Sequence, residues 1–219
     1  MTTRQKQMLY VGATLIVVIA WTFYTADGPQ TTAVLAGTVR AATLLVLGAM
    51  CGMIGERSGV VNIGIEGQFL LSAFAAFTIA SMTGSLFLGT VAGVGMGLIM
   101  GWMLAAMAVG LKVDQIIAGT VLNIAALGLT SFFYDRSRSL GMGKYTNIDL
   151  GPLADIPLVG TVFFSRPPLT YLTMVLLVVV HVALFRSVWG MRTRAIGEHP
   201  GAADTVGIDV LKLRYFNVT

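Results

Sequence analysis

Six long apolar stretches, separated by short polar turns, leave this chain few ways to fold. They cover about residues 8–24, 33–54, 58–80, 86–111, 113–133 and 169–188. Roughly 20 apolar residues of helix cross a bilayer core. No water reaches the backbone there, so every N–H and C=O must find a partner in the protein, and a helix supplies those partners within one segment. Of the 219 residues, 11% are charged and 56% hydrophobic, whereas a soluble domain carries about a quarter charged. The expected fold is an all-α integral membrane protein. It should be a polytopic bundle of about six transmembrane helices.

The turns set an orientation. With six spans, both ends of the bundle lie on one side, and Arg4 and Lys6 ahead of the first span put that side in the cytoplasm. A basic start and an apolar middle also suit a cleavable leader, but Phe23 and Tyr24 stand where a cleavage site needs small residues. Arg57 and Lys112 then fall in inner turns, the outer turns 26–32 and 81–85 hold no basic residue, and Arg192, Arg194, Lys212 and Arg214 return to the inside. Residues 134–168 are the longest non-apolar stretch and lie outside. They carry Arg136, Arg138, Lys144 and Arg166, and long loops translocate with little regard to charge. Leu153, Ile156, Leu158, Val162, Phe163 and Phe164 predict a folded cap or a short interfacial helix there.

Several classes of chemistry are excluded. The net charge of +4 comes from scattered basic residues at segment ends, which is not a nucleic-acid footprint. Cys51 is the single cysteine, so neither an intrachain disulfide nor a multi-cysteine metal site is available. There is no phosphate-binding Gly-x-x-x-x-Gly-Lys-[Ser/Thr] loop, no His/Cys/Glu set at metal spacing and no Gly-x-Ser-x-Gly elbow. No catalytic residue, metal or bound cofactor is expected. An acid–base pair of Glu66 and His181 would be the enzyme reading, and nothing in the sequence places those two together.

The exception to the apolar pattern is Gly55–Phe69, with two carboxylates, an arginine, an asparagine and four glycines. On a helix, Ser58, Asn62 and Glu66 fall at i, i+4 and i+8 and share one face. A polar stripe at membrane depth is costly and survives only against a bundle interior or a water-filled path. Two readings stand for Asn62 and Glu66: a buried hydrogen-bond cluster, or part of a substrate path. For Gly55–Gly59 a third is a polar loop with Ser58 as the N-cap of the helix that follows. Asn123, near the middle of the fifth span, reads as an interhelical hydrogen bond or a path-lining residue. Gly89, Gly93, Gly97 and Gly101 recur every four residues in the fourth span, the small-residue face that lets membrane helices pack backbone to backbone.

The run Glu56-Arg57-Ser58-Gly59-Val60-Val61-Asn62-Ile63-Gly64-Ile65-Glu66-Gly67 resembles the signature of ABC-transporter permeases of the branched-chain amino acid, ribose and nucleoside group. It is most similar to the nucleoside and simple-sugar permeases. A second segment, at Arg192–Val210, holds Pro200, suited to the first position of a short helix, and Gly207, suited to its stop. About seven Ala-rich residues lie between them, too short a helix to stand alone. The bland reading is a surface loop. The segment resembles the cytoplasmic coupling helix of the same family, with the core Gly197, Glu198, Pro200, Ala202 and Ala203, and the resemblance adds Asp204 and Gly207 to the residues that couple to the ATPase.

The resemblance covers about residues 34–219. It implies one transmembrane permease domain over 1–219, an extracytoplasmic loop at 134–168 and a cytoplasmic coupling segment at 190–209. It also implies that further membrane helices follow in family members, the first of them opened by residues 215–219, so the chain reads as an N-terminal portion. The expected function is the permease subunit of an ABC importer for nucleosides or related simple sugars, working by alternating access in a bacterial inner membrane. The implied partners are a cytoplasmic ATPase subunit that binds the ATP, a second permease subunit, an extracytoplasmic substrate-binding protein and the lipid bilayer. The rival from another class is a secondary transporter that uses Glu66 as the ion-coupling acid, and the docking segment distinguishes the two.

Overall fold

A computed structural model describes residues 3–134, 144–149, 151–154, 156 and 159–219, with side chains in the first helix at residue 12 and from residue 14 onward. The expectations placed on Arg136, Arg138, Leu158 and the side chains of Arg4 and Lys6 fall outside the described residues.

The described residues form nine α-helices: α1 Thr3–Ala26, α2 Gly28–Arg57, α3 Ile65–Thr83, α4 Leu86–Ala105, α5 Gln115–Phe133, α6 Pro168–Arg186, α7 Val188–Glu198, α8 Pro200–Thr205 and α9 Val210–Val218. A π-helical turn, Ala106–Gly110, extends α4. Five of these helices are long and apolar enough to cross a membrane: α2, α3, α4 with its extension, α5 and α6. The apolar part of α1 that is described, Thr14–Ala26, is shorter than a span. By contact the chain packs as two compact units, Met1–Leu45 with Thr146–Met174, and Val46–Tyr145 with Val175–Thr219.

In the first unit, two short strands, β1 Ile148–Asp149 and β2 Ser165–Arg166, pair antiparallel with Ile148 opposite Arg166. Gly151–Leu153 makes a 3-10 turn and Gly160–Phe164 a π turn. The described part of this stretch is thus a small ribbon with tight turns. Arg166 holds it to α2. The side chain is 4% exposed and donates to the carbonyls of Val162, Thr161 and Ala36. Burial, and then the like charge of Arg40, lower its pKa from the ordinary arginine value.

In the second unit, α3, α4 and α5 build the core. Leu71, Met100, Leu104, Ala118, Leu122 and Ala126 pack together, and Val60 and Val218 join them from outside the three helices. The glycines of α4 face small residues of α3. A β-carbon on Gly89 would lie 2.7 Å from the Ala76 carbonyl oxygen, one on Gly93 3.1 Å from Ala76 and from the Ser72 carbonyl oxygen, and one on Gly97 3.3 Å from the Ser72 hydroxyl. Ser72, Ala76 and Ala80 repeat at the same four-residue spacing, so two small faces meet. At Gly101 the neighbour changes, to the carbonyls of Val218 and Thr219 at the end of α9. The α6–α7 corner is set by Ser187, whose hydroxyl accepts the Gly190 N–H. Trp189 donates to Asn217, and Asn217 to Thr193, which joins α7 to α9.

One expectation is overturned. The third span starts at Ile65 and not near Ser58, so Ser58, Asn62 and Glu66 do not share a helical face. The cause is Gly59, with φ +80°. The Val60 N–H bonds the Gly55 carbonyl and the Gly59 N–H that of Glu56, each at 3.0 Å. This double closure around a left-handed glycine ends a helix. Ser58 is therefore the last residue of α2's cap, and residues 60–64 run outside any helix.

Candidate functional site

The non-helical stretch is held by one face of α5. Gln115, Gly119 and Asn123 lie at i, i+4 and i+8, so they line up along that helix. Gln115 accepts the Val61 N–H at 2.7 Å and donates to the Gly59 carbonyl at 3.4 Å. Gly119 lets the chain pass: a β-carbon there would lie 2.8 Å from the Gly64 nitrogen. Asn123 accepts the Gly67 N–H at 2.7 Å and donates to the Ile63 carbonyl at 3.0 Å. Backbone that leaves a helix needs other partners, and α5 supplies four of them through two side chains.

Of the residues the sequence singled out, Ser58 is 0% exposed and its hydroxyl donates to the Gly55 carbonyl at 2.7 Å. It has no surface to offer a solute. The Asn62 amide donates to Gln68 at 3.1 Å and approaches the Cys51 sulfur at 3.9 Å, while its Oδ1 is buried with no donor among the described residues. Glu66 is exposed in the first turn of α3, where the N-terminal end of the helix dipole favours a carboxylate. It shares a face of α3 with Leu70, Phe74 and Phe77. Those three and Leu127, Thr130 and Tyr134 of the α5 side line a cleft of about 660 Å³.

The two segments that the sequence marked separately are in contact. Gly197, near the end of α7, lies against the Arg57 carbonyl and the Gly59 nitrogen, with no room for a side chain. Glu56, Arg57, Met53, Gly197 and Glu198 line a small polar cavity of about 330 Å³ between them. Arg214 of α9 donates from Nε to the Ser58 carbonyl at 3.0 Å and from Nη2 to the Ile196 carbonyl at 3.2 Å.

Beyond Gly197 the chain turns at His199 into α8. Pro200 takes its first position, and Gly207, at φ +83°, closes it by the same double bond pattern seen at Gly59, from Ile208 to Ala203 and from Gly207 to Asp204. Ala203 is 4% exposed and faces the chain itself. Glu198, Ala202 and Asp204 are exposed, and so is Val206, at 74%. Asp209 then caps α9, accepting the Lys212 N–H at 3.0 Å. Backbone and side-chain bonds from Lys212 hold the Asp209 carboxyl below its ordinary pKa.

Sequence reasoning missed Gln115, Gly119 and the bridging role of Arg214. The i, i+4, i+8 spacing of Gln115, Gly119 and Asn123 was a visible signal for the first two. Among the described residues no three His, Cys, Asp or Glu side chains cluster as metal ligands.

Comparison with known proteins bears on the whole site. The chain is 37% identical over 185 residues to a provisionally named glucose ABC transporter permease protein, TsgC13, of Haloferax volcanii, covering 83% of this chain and 56% of that protein. It is 34% identical to the guanosine ABC transporter permease protein NupQ of Bacillus subtilis, covering 80% of this chain and 58% of that protein. It is also 34% identical to the nucleoside ABC transporter permease protein NupC of Lactococcus lactis, covering 80% and 59%. The chain thus spans a little over half the length of the curated relatives it matches. No solved structure matches it. Residues 34–219, which contain the broken stretch, the α5 face and the α7–α9 segment, match one family. The chain belongs to the family described as branched-chain amino acid transport system / permease component.

Proposed function

We propose that this chain is part of the membrane permease of an ABC importer for nucleosides or related simple sugars. The observation that carries this is the contact of Gly197 with Arg57 and Gly59, together with family membership. It joins a segment suited to docking to the polar, non-helical stretch between α2 and α3. In this reading Glu198, Pro200, Ala202, Asp204 and Val206 face a cytoplasmic ATPase, which binds and hydrolyses the ATP. Glu66, Asn62 and the cleft between α3 and α5 contribute to the solute path. The chain itself catalyses nothing. The names of NupQ, NupC and TsgC13 support a nucleoside or sugar cargo.

The remaining assignments follow from the same reading. A second permease subunit completes the path, an extracytoplasmic binding protein delivers the solute, and the path opens alternately to the two sides of a bacterial inner membrane. The N-terminus and the α7–α9 segment lie in the cytoplasm, which fits the basic residues at Arg57, Lys112, Arg192 and Arg194. A secondary transporter coupled through Glu66 would have no use for a docking segment.

The test is uptake of radiolabelled nucleosides by proteoliposomes that hold the assembled transporter with its binding protein. Uptake should require ATP on the side of the docking segment and survive collapse of proton and sodium gradients. Uptake that follows an ion gradient and ignores ATP would overturn the importer reading.

A further inference from the structure

We propose that Arg214 is the strut that carries movement of the docking segment into the broken stretch at residues 58–67, and so positions that stretch during transport. The proposal rests on the ATP-driven reading above.

Its origin is local chemistry. A helix leaves its last carbonyls without internal donors. Ile196 sits in the last turn of α7, and the residue four positions on is Pro200, which has no N–H to give. Ser58 caps α2, and Gly59 turns the chain away before a helical donor can follow. Two carbonyls from helices far apart in sequence are thus left open. One guanidinium fills both, with Nε on Ser58 and Nη2 on Ile196. Charge-assisted bonds of this kind are stronger than neutral ones. The planar fork fixes the angle between the two bonds, which a lysine ammonium does not.

The guanidinium sits where the two segments meet. A β-carbon on Gly59 would lie 2.9 Å from Nη2 and 3.5 Å from the Gly197 Cα. Two glycines, one from each segment, therefore meet at the arginine. From Ser58 the linkage continues without a gap. Gln115 grips Gly59 and Val61, and Asn123 grips Ile63 and Gly67. A shift of α7 reaches α5 and the start of α3 through bonds to backbone, with Arg214 as the only side chain that bonds both segments among the described residues.

The experiment compares the wild type with Arg214→Gln and Arg214→Lys in the assembled transporter. It measures ATP hydrolysed per solute taken up, with ATPase co-purification as the control for assembly. Arg214→Gln should keep hydrolysis within about twofold while uptake falls at least tenfold, and Arg214→Lys should lie between. Uptake and hydrolysis that fall together, or that both hold, would overturn the strut. Gly59→Ala serves if the arginine variants fail to assemble. Its β-carbon would lie 2.9 Å from Nη2, so it displaces the guanidinium and leaves Arg214 in the chain. It should lower uptake per ATP several-fold with the ATPase still bound, and an unchanged ratio would overturn the proposal. Wild-type uptake that needs no ATP would instead sink the importer reading on which the strut rests.

Discussion

The Asn123 side chain caps a helix to which it does not belong: its Oδ1 accepts the Gly67 N–H at 2.7 Å. The residue ahead of α3 is Gly64, which offers no side-chain cap, so the cap comes from the middle of α5. The same amide donates to Ile63, and a β-carbon on Gly67 would lie 2.8 Å from Oδ1. A polar residue in an apolar helix thus does for the broken stretch what water would do at a soluble helix end.

Asn123→Ala should therefore destabilise the folded permease. It leaves the Gly67 N–H and the Ile63 carbonyl without this partner, and an unpaired donor on a buried residue such as Gly67 costs about 1–3 kcal/mol. The measurement is thermal unfolding of the purified assembly in detergent, followed by tryptophan fluorescence. A variant that melts with the wild type would show that the two backbone groups find other partners, and that the cap is dispensable.

Gly67→Ala and Gly119→Ala test the same crossing from the steric side. Their β-carbons would press on the Asn123 and Leu122 backbone, and on the Gly64 nitrogen and Ile63 backbone. Backbone cannot swing aside as a side chain can, and overpacking costs about 1–3 kcal/mol. Gly128→Ala is the matched control on α5, since nothing lies within 4 Å of its added carbon. It should be neutral, or stabilising by up to about 1 kcal/mol through backbone entropy. Equal melting shifts for all three would remove close packing as the explanation.

These contacts also show what a single sequence can and cannot reveal. The apolar spans were legible because hydropathy is local, and so were the ends of α8, where Pro200 and Gly207 act on their own backbone. The α2–α3 boundary was misread because Arg57-Ser58-Gly59 carries two opposed local signals. Serine before an apolar run reads as an N-cap, whereas a glycine after a basic last turn reads as a C-terminal stop. Gly59 ends α2, and the stretch beyond it is held by Gln115, which lies 54 residues from the Val61 N–H it accepts. Arg214 is farther still, 156 residues from Ser58. A residue's charge and exposed polarity can be read from its type, but its acceptor cannot. The sequence could thus mark both segments and give no sign that they touch.

Asp209 supplies a pH dependence. Its carboxylate caps α9 and bonds Lys212 at 2.9 Å, and its pKa is lowered by those bonds. A lowered folded pKa means that the cap's contribution is complete above the ordinary carboxylate value of about 3.9. It is lost as pH falls through the folded value. Amide exchange at Leu211, Lys212 and Leu213 should therefore show no cap-dependent change from pH 8 down to 5. After correction for intrinsic rates, it should lose protection in acid. Asp209→Ala should show the unprotected pattern at every pH. Protection in that variant equal to wild type at pH 7 would mean that packing of α9, and not its cap, holds the first turn.

The exposed surface of α8 decides where the docking reading is open to attack. Ala203 is the obvious small residue, but it is buried against its own chain. An arginine there would disturb α8 and α9 before it met any partner, and its failure would say nothing about docking. Ala202 and Val206 point outward, Val206 at 74% exposure. Either can be changed without opening the fold. An exposed apolar residue on a polar segment contributes little to the free subunit and much to an interface that covers it, where truncation of a central contact costs about 2 kcal/mol or more. Val206→Asp and Ala202→Arg should leave membrane insertion and melting of the permease unchanged. Both should weaken co-purification of the ATPase by at least tenfold, since a charge placed in a covered apolar contact stays unpaired. Gly95→Ala, in open space on α4, gives the background for a substitution far from this surface. Retention of the ATPase at the wild-type level by both outward variants would make Pro200–Thr205 a connecting helix. The partner would then have to dock elsewhere on the chain.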